Sequence, residues 1–166
     1  MDLQFGHLAE RLTNMSFASR LTYFVGIYFP ALGRAATRNQ VEQYRSSNGK
    51  KGKMILGYPC FPLEVVGRKS EKAHSVMLMY VPRGDDLIVV GSAGGTHRAP
   101  NWYKNLVAAG SGNVQVDAER WDVNVRQLPE GREREECWAI AVACYPGFED
   151  YRGYTERRLP VAVLER

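Results

Sequence analysis

Cysteine and histidine are scarce in the 166-residue chain. Its three cysteines, Cys60, Cys137 and Cys144, form no Cys-x-x-Cys pair, and its three histidines are scattered. This spacing excludes the common zinc sites, so we expect no bound metal. The odd number of cysteines favours buried, reduced thiols in a reducing compartment.

The sequence also lacks the short motifs that mark several large enzyme classes. There is no GxxxxGK[ST] loop, no GxGxxG opening a βαβ unit, no GxSxG elbow and no HExxH helix. These absences exclude a P-loop phosphate site, a nicotinamide site of the Rossmann type, a serine nucleophile on an elbow and a zinc-protease helix.

Long apolar runs and a dense basic stripe are missing as well. The most apolar N-terminal stretch, residues 21–33, contains a proline and is too short to span a bilayer, and no signal peptide is evident. We therefore expect a cytoplasmic protein. Arginines at both ends of the stretch leave two interpretations open: peripheral membrane contact through residues 15–33, or a helix packed on this domain or on a partner subunit. A surplus of four positive charges is too small to predict nucleic-acid binding.

What the chain does contain is a globular balance of residues, with 45% apolar and 24% charged side chains, which predicts one domain. We expect an N-terminal helical extension over residues 1–45, broken near Pro30, and then a polar, basic loop. Residues 54–166 carry the strand patterns and two helices. The second of these helices follows Pro129, and its apolar second half should be buried on every side.

The predicted order of elements in residues 54–166 is β-β-β-α-β-β-α-β, with short hairpin links. That order favours an α+β, mainly β fold built on an antiparallel sheet or small barrel over a parallel α/β sheet. The first of these strands, residues 61–67, has two prolines nearby, which predicts a position at the sheet edge.

Two basic turns that contain glycine follow strands and are candidates for binding an anion. "GRKS", residues 67–70, combines a permissive glycine with two cations and a hydroxyl, as phosphate recognition requires; the alternative is a solvated turn. "GSAGGTHRAPNWY", residues 91–103, has glycines that let backbone amides approach a ligand; its alternative is a turn before a core tryptophan. Together the two turns predict a cleft for a long anionic ligand.

A third segment, residues 144–158, is rich in aromatic residues. Tyr145, Phe148, Tyr151 and Tyr154 recur every three residues and would form a stripe on a helix. Core packing is the alternative, but the polar residues between them argue against a wholly buried stripe. We therefore predict a wall for a flat, partly polar substrate.

These three segments, together with "NVQV" at residues 113–116, resemble the deazaflavin-dependent nitroreductase family of actinobacteria, which uses coenzyme F420. The pattern Pro-x-Trp-Tyr-x-Asn-Leu is specific, and the resemblance covers about residues 60–166. It implies a split β-barrel related to FMN-binding barrels, with flanking helices, over residues 54–166. It also implies a deazaflavin in a groove, with its phosphate and glutamyl tail held by basic groups, and usually a homodimer.

The resemblance implies roles for particular residues. Coenzyme contacts would come from Arg68, Lys69, Ser70, His74, Ser92, Gly94, Gly95, Arg98, Trp102 and Tyr103. The acceptor would lie against Met79, Trp102, Tyr145, Phe148 and Tyr151, with Tyr145 as the catalytic proton donor. The chain departs from the family pattern at His74, Ala93 and Phe148. The first two departures weaken the grip on phosphate, and the third bears on substrate choice.

The activity implied by the resemblance is hydride transfer from reduced F420 to an activated acceptor, either a quinone, an enone or a nitroaromatic. Quinone reduction is our preferred hypothesis. The alternatives are a non-catalytic protein that carries F420 and an FMN-dependent oxidoreductase on the same barrel.

Overall fold

The computed structural model describes residues 30–166, with side chains from residue 35 onward. The interpretations made for residues 1–29, which include most of the stretch with predicted membrane contact, lie outside the described residues. No helix within the described range is both long and apolar enough to cross a bilayer.

The described residues form four α-helices: α1 (Pro30–Ser46), α2 (Asn101–Ala109), α3 (Arg132–Cys144) and α4 (Gly147–Gly153). Helix α1 starts at Pro30, a residue suited to a first turn because its missing N–H would have no partner there. Helix α2 ends at Gly110, which takes the left-handed conformation (φ 70°) and donates its amide to the Leu106 carbonyl.

The strands are β1 (Met54–Ile55), β2 (Tyr58–Val66), β3 (Ala73–Met79), β4 (Pro82–Arg83), β5 (Asp86–Val90), β6 (Ser111–Val116), β7 (Glu119–Gln127) and β8 (Val161–Glu165). Every strand pairing is antiparallel. The strand order is β1-β2-β6-β7-β8-β5-β4, and β3 pairs with the edge of β2 opposite β6. The sheet curls into a partial barrel with helices beside it, which confirms the predicted antiparallel, mainly β fold.

Strand β2 lies inside the sheet, so the predicted edge position is wrong. It pairs with β3 from Cys60 to Val66 and with β6 at Leu63 and Glu64. The β6 ladder begins just after Pro62, so this proline lies where no amide is needed on that side.

The sheet has a buried cluster on each face, and strand β5 contributes to both. Ile88 and Val90 pack under α3 and α4, whereas Leu87 and Val89 pack under α2. Helix α3 buries one face and exposes two alanines, at positions 139 and 143, so the predicted burial on every side is wrong. The exposed groups are only methyls, which cost little to leave in water.

The barrel does not close between β3 and β5. The chain passes from one strand to the other through a corner, where the Tyr80 amide donates to Pro59 (2.9 Å) and the Val81 carbonyl accepts from Ile88 (2.8 Å). Beyond this corner β3 pairs with β2 and β5 pairs with β8, and no ladder joins β3 to β5 within residues 30–166. We call the resulting gap the split cleft.

An ionic network ties α3 to the sheet. Glu133 in the first turn of α3 accepts hydrogen bonds from Arg126 on β7 (2.9 Å to each oxygen) and from Arg83 on β4 (2.8 Å). Arg126 also donates to Glu165 on β8 (2.6 Å). The two guanidiniums on Glu133 stabilise its charged form and lower its pKa to about 2.

The network predicts a pH-dependent stability. Because the folded-state pKa of Glu133 lies below the ordinary value of 4.5, its bonds stabilise the fold above that pH, and this contribution is lost as the pH falls toward 2. Glu133→Gln should therefore lower Tm at pH 7, and the difference from the unmodified protein should close in acid. Glu136→Gln, which removes an exposed pair with Arg132, is the control and should change little. A Tm difference that is independent of pH would contradict the assignment.

Candidate active site

The split cleft contains a cavity of about 200 Å³. Strand β3 contributes residues 76–79, β5 contributes residues 88–90, and the segment after β5 contributes residues 92–94. The remaining wall includes side chains from α2 and from the α3–α4 region, namely Trp102, Tyr145, Phe148 and Tyr151. The structure thus brings all five predicted acceptor-site residues, Met79 included, to one cavity.

The aromatic wall is formed around α4. The Oη atoms of Tyr145 and Tyr151 are 2.8 Å apart, so one hydroxyl donates to the other. Phe148 packs edge-on against Tyr145, with ring centroids 5.1 Å apart. All four rings of the predicted stripe, including Tyr154, are at most 8% exposed, so the argument against a wholly buried stripe is wrong. The polar residues between the rings occupy the opposite, outer face of the segment.

Gly147 leaves the space that the Tyr145 ring occupies. A Cβ at this position would be 2.5 Å from the Tyr145 Cζ and 2.6 Å from its Oη, closer than any side chain tolerates. The ring therefore folds back over the start of α4. Tyr58 supports it from the other side, edge-on with centroids 4.9 Å apart.

The segment after β5, residues 91–96, forms a glycine loop with an unusual backbone. Ser92 is right-handed (φ −72°, ψ −43°), and Ala93, Gly94 and Gly95 that follow are left-handed, with φ of 48°, 64° and 80°. A right-handed residue followed by a left-handed one turns successive amides toward the same side, as in anion-binding nests. In the described part of the chain, the amides of Ala93 and Gly94 have no acceptor, and both residues line the cavity.

The basic turn between β2 and β3 docks onto α2. Arg68 donates to the Asn105 Oδ1 from Nη1 (2.7 Å) and from its backbone amide (3.4 Å). Asn105 lies three residues after Trp102, so the two are neighbours on the helix surface. The turn is therefore about one helical turn from the cavity wall. Lys69 is exposed, and the Ser70 Oγ is 2.8 Å from the His74 Nε2.

Of the ten predicted coenzyme residues, Ser92, Gly94 and Trp102 line the cavity, and the other seven, four of them in or next to the basic turn, lie outside its lining. Arg98 is exposed, and Gly95 packs against α4. Tyr103 is buried in the cluster under α2 and donates to the Val161 carbonyl at 3.4 Å; burial raises its pKa to about 12. It contacts Trp102 edge-on, with centroids 5.5 Å apart, and so supports the wall from behind.

Sequence reasoning missed Asn105, Tyr58 and Arg157 as candidates. Asn105 is part of the quoted Pro-x-Trp-Tyr-x-Asn-Leu pattern, so a signal for it was present. Arg157 is one of three consecutive charged residues, a pattern typical of a solvated surface, but its guanidinium bonds the glycine loop. The part of the chain that the structure describes contains no group of three side chains able to hold a metal ion.

Comparison with known proteins agrees with this geometry. A family model described as F420H(2)-dependent quinone reductase matches residues 36–166. An F420H(2)-dependent quinone reductase of Mycobacterium tuberculosis is 32% identical over 126 residues, which cover 74% of this chain and 85% of the relative.

Two solved structures resemble the chain. One is a domain-swapped dimer with 31% identity and a TM-score of 0.63, covering 82% of this chain and 99% of that one. The other is an F420-H2 dependent reductase with 36% identity and a TM-score of 0.60, covering 64% of this chain and 94% of that one. These likenesses confirm the split β-barrel.

The packing of the glycine loop predicts a specific weakness at Gly95. An added Cβ would lie 2.8 Å from the Tyr151 carbonyl oxygen and 2.9 Å from the Tyr154 ring, at a φ of 80°. Gly95→Ala should therefore cost more than the ~1–2 kcal/mol of a left-handed alanine. Gly84→Ala is the matched control, because φ is 62° there but no atom lies within 4 Å. Denaturant unfolding measures both variants, and equal losses would contradict the close packing.

Proposed function

Because the chain belongs to the F420H(2)-dependent quinone reductase family, and is therefore an oxidoreductase that uses coenzyme F420, we propose that it reduces a quinone bound in the split cleft beside Tyr145. One observation carries the proposal. A cavity with an aromatic wall, a corner of free amide donors and a neighbouring basic turn occupies the gap between β3 and β5.

The residues present suit the coenzyme. Its flat ring requires apolar walls, which β3, β5 and Trp102 provide. The ring carries carbonyl oxygens, and the unengaged amides of Ala93 and Gly94 are donors that match them. Its acidic tail requires cations, and the basic turn provides Arg68 and Lys69 beside the cavity.

The departures from the family pattern reduce this cationic set. His74 is hydrogen-bonded to the Ser70 hydroxyl, and one guanidinium nitrogen of Arg68 donates to Asn105. Five N–H donors belong to an arginine side chain, so the Asn105 bond orients Arg68 and leaves donors for a phosphate. Lys69 is in no ion pair within residues 30–166 and supplies its full charge to the tail.

Coenzyme F420, when bound, supplies a hydride from its reduced deazaflavin ring. Tyr145 holds a proton at Oη in the cavity wall, and when the Tyr151 hydroxyl is the donor across their 2.8 Å contact, the Tyr145 proton is left for the cavity. As a quinone oxygen gains charge, Tyr145 Oη donates its proton to that oxygen. One hydride and one proton convert the quinone to the hydroquinone, and the Tyr145 phenolate regains its proton from solvent when the product leaves. The buried aromatic rings exclude water from the reacting face.

Turnover with a soluble quinone tests the proposal directly. The purified protein is mixed with reduced F420 and menadione, and the absorbance of the oxidised coenzyme is followed. We expect the absorbance to rise catalytically, over many equivalents of enzyme. Binding of F420 without reoxidation would overturn the proposal in favour of a carrier, and tight binding of FMN in place of F420 would overturn the choice of coenzyme.

Removal of the Tyr145 hydroxyl tests the proton donor. Tyr145→Phe should lower kcat for menadione on the order of 100-fold, because a positioned general acid contributes at least this much. The Kd for F420 should stay unchanged, since the ring and its packing remain. Tyr58→Phe removes a hydroxyl from the ring that supports Tyr145 and serves as control. Equal kcat values for the unmodified protein and Tyr145→Phe would remove this phenol from the mechanism.

Several narrower expectations stay predictions. They are reduction of enones and nitroaromatics, a cytoplasmic location, membrane contact through residues 15–33 and a homodimer. One similar solved structure is a domain-swapped dimer, which supports the last of these.

A further inference from the structure

Arg157, between α4 and β8, contacts the glycine loop through three backbone carbonyls. Its Nε donates to the Thr96 oxygen at 2.7 Å and its Nη1 to the Gly91 oxygen at 3.2 Å. Its Nη2 donates to the Ser92 oxygen at 2.5 Å. A planar guanidinium can reach three separate acceptors at once, whereas an ammonium is a single point. Arg157 therefore ties both ends of the loop to one rigid group.

The charge of Arg157 is not neutralised by a carboxylate. In the part of the chain that the structure describes, eight other arginines form ion pairs with glutamates, including the adjacent Arg158, which pairs with Glu130 and Glu135. Within residues 30–166 the guanidinium of Arg157 bonds only to the three carbonyls and has no acidic partner. It is half-buried, and this burial lowers its pKa from the ordinary value of an arginine. The three hydrogen bonds offset the cost of keeping a cation there.

These bonds determine which groups the loop presents to the cavity. Arg157 engages the carbonyls of Gly91, Ser92 and Thr96, which flank Ala93 and Gly94, and the amides of these two residues are left without an acceptor among residues 30–166. The loop also holds an alanine at a φ of 48°, a conformation that persists only where the surroundings enforce it. A guanidinium joined to both ends of the loop provides such enforcement.

We propose that Arg157 is a positioning residue that keeps the glycine loop in the conformation in which the Ala93 and Gly94 amides are free, so that these amides bind the oxygen-bearing edge of the deazaflavin ring. The inference rests on the proposed function for the identity of the ligand. The conformation of the loop is argued from its three bonds to Arg157 and does not depend on the identity of the ligand.

Two measurements on Arg157→Met test the proposal. The Kd for F420, measured by fluorescence titration, should rise about tenfold or more. Amide hydrogen exchange in the ligand-free protein should become faster at Gly95 and Thr96, whose amides donate within the loop to Ser92 (3.0 Å) and Ala93 (3.2 Å). Arg157→Lys keeps the charge but cannot reach all three carbonyls, so we expect intermediate values of both.

Arg158→Met is the matched control. It removes the same charge one residue away, from a side chain bonded to Glu130 and Glu135 and not to the loop. Its Kd and exchange rates should equal those of the unmodified protein. If Arg158→Met weakens binding as much as Arg157→Met, the effect is general electrostatics and the proposal is overturned.

Other outcomes are equally decisive. An unchanged Kd for Arg157→Met overturns the proposal, as does a weakened Kd with unchanged exchange at Gly95 and Thr96. Should Arg157→Met not fold, Arg157→Lys decides, and values equal to the unmodified protein reject the geometric role. Failure of the unmodified protein to bind F420 would overturn the proposed function, while the exchange experiment, which needs no coenzyme, would still test the role of Arg157.

Discussion

The absence of pairing between β3 and β5 is the constraint on which the site depends. Strand β5 pairs with β8 through residues 87–90, and β3 pairs with β2 through residues 73–79, so neither strand is short of partners. Past the corner at Tyr80 and Val81 the two strands separate, and the gap exposes the edges of both. A cavity at a strand edge receives side chains from both faces of the sheet. This is why Ile88 and Val89, which belong to opposite buried clusters, line the same cavity.

The other elements close this gap without filling it. Helix α4 brings a buried set of rings to one side, and the packing of Tyr145 over Gly147 keeps them compact. Helix α2 supplies Trp102 to another side and, three residues later, the Asn105 amide that holds the basic turn. One helix thereby sets the distance between the cavity and the cations of the basic turn, and the proposed binding of a long ligand with an acidic end requires such a fixed separation.

Local patterns in the sequence predicted the helices and strands well, but they predicted poorly which strands lie side by side. The predicted order of strands and helices in residues 54–166 agrees with the structure except for the two-residue strands β1 and β4 and the short helix α4, because valine runs and alternation indicate burial directly. The predicted edge position of β2 is wrong because a proline shows only that one backbone amide is missing. The ladder with β6 starts beyond Pro62, where that amide is not needed. The role of Arg157 could not be predicted because its partners are backbone carbonyls, which carry no residue signature.

The charge distribution shows why a mild excess of four positive charges is compatible with an anionic ligand. Among the described residues, eight arginines have acidic partners, and four of these share a glutamate with another arginine: Arg83 and Arg126 share Glu133, and Arg134 and Arg158 share Glu135. Arg68 and Arg157, next to the cavity, are bonded instead to an amide and to carbonyls, which orient a guanidinium without cancelling its charge. Attraction for an anion therefore depends on which cations lack carboxylates and where they lie. The net charge of the sequence does not report this distinction.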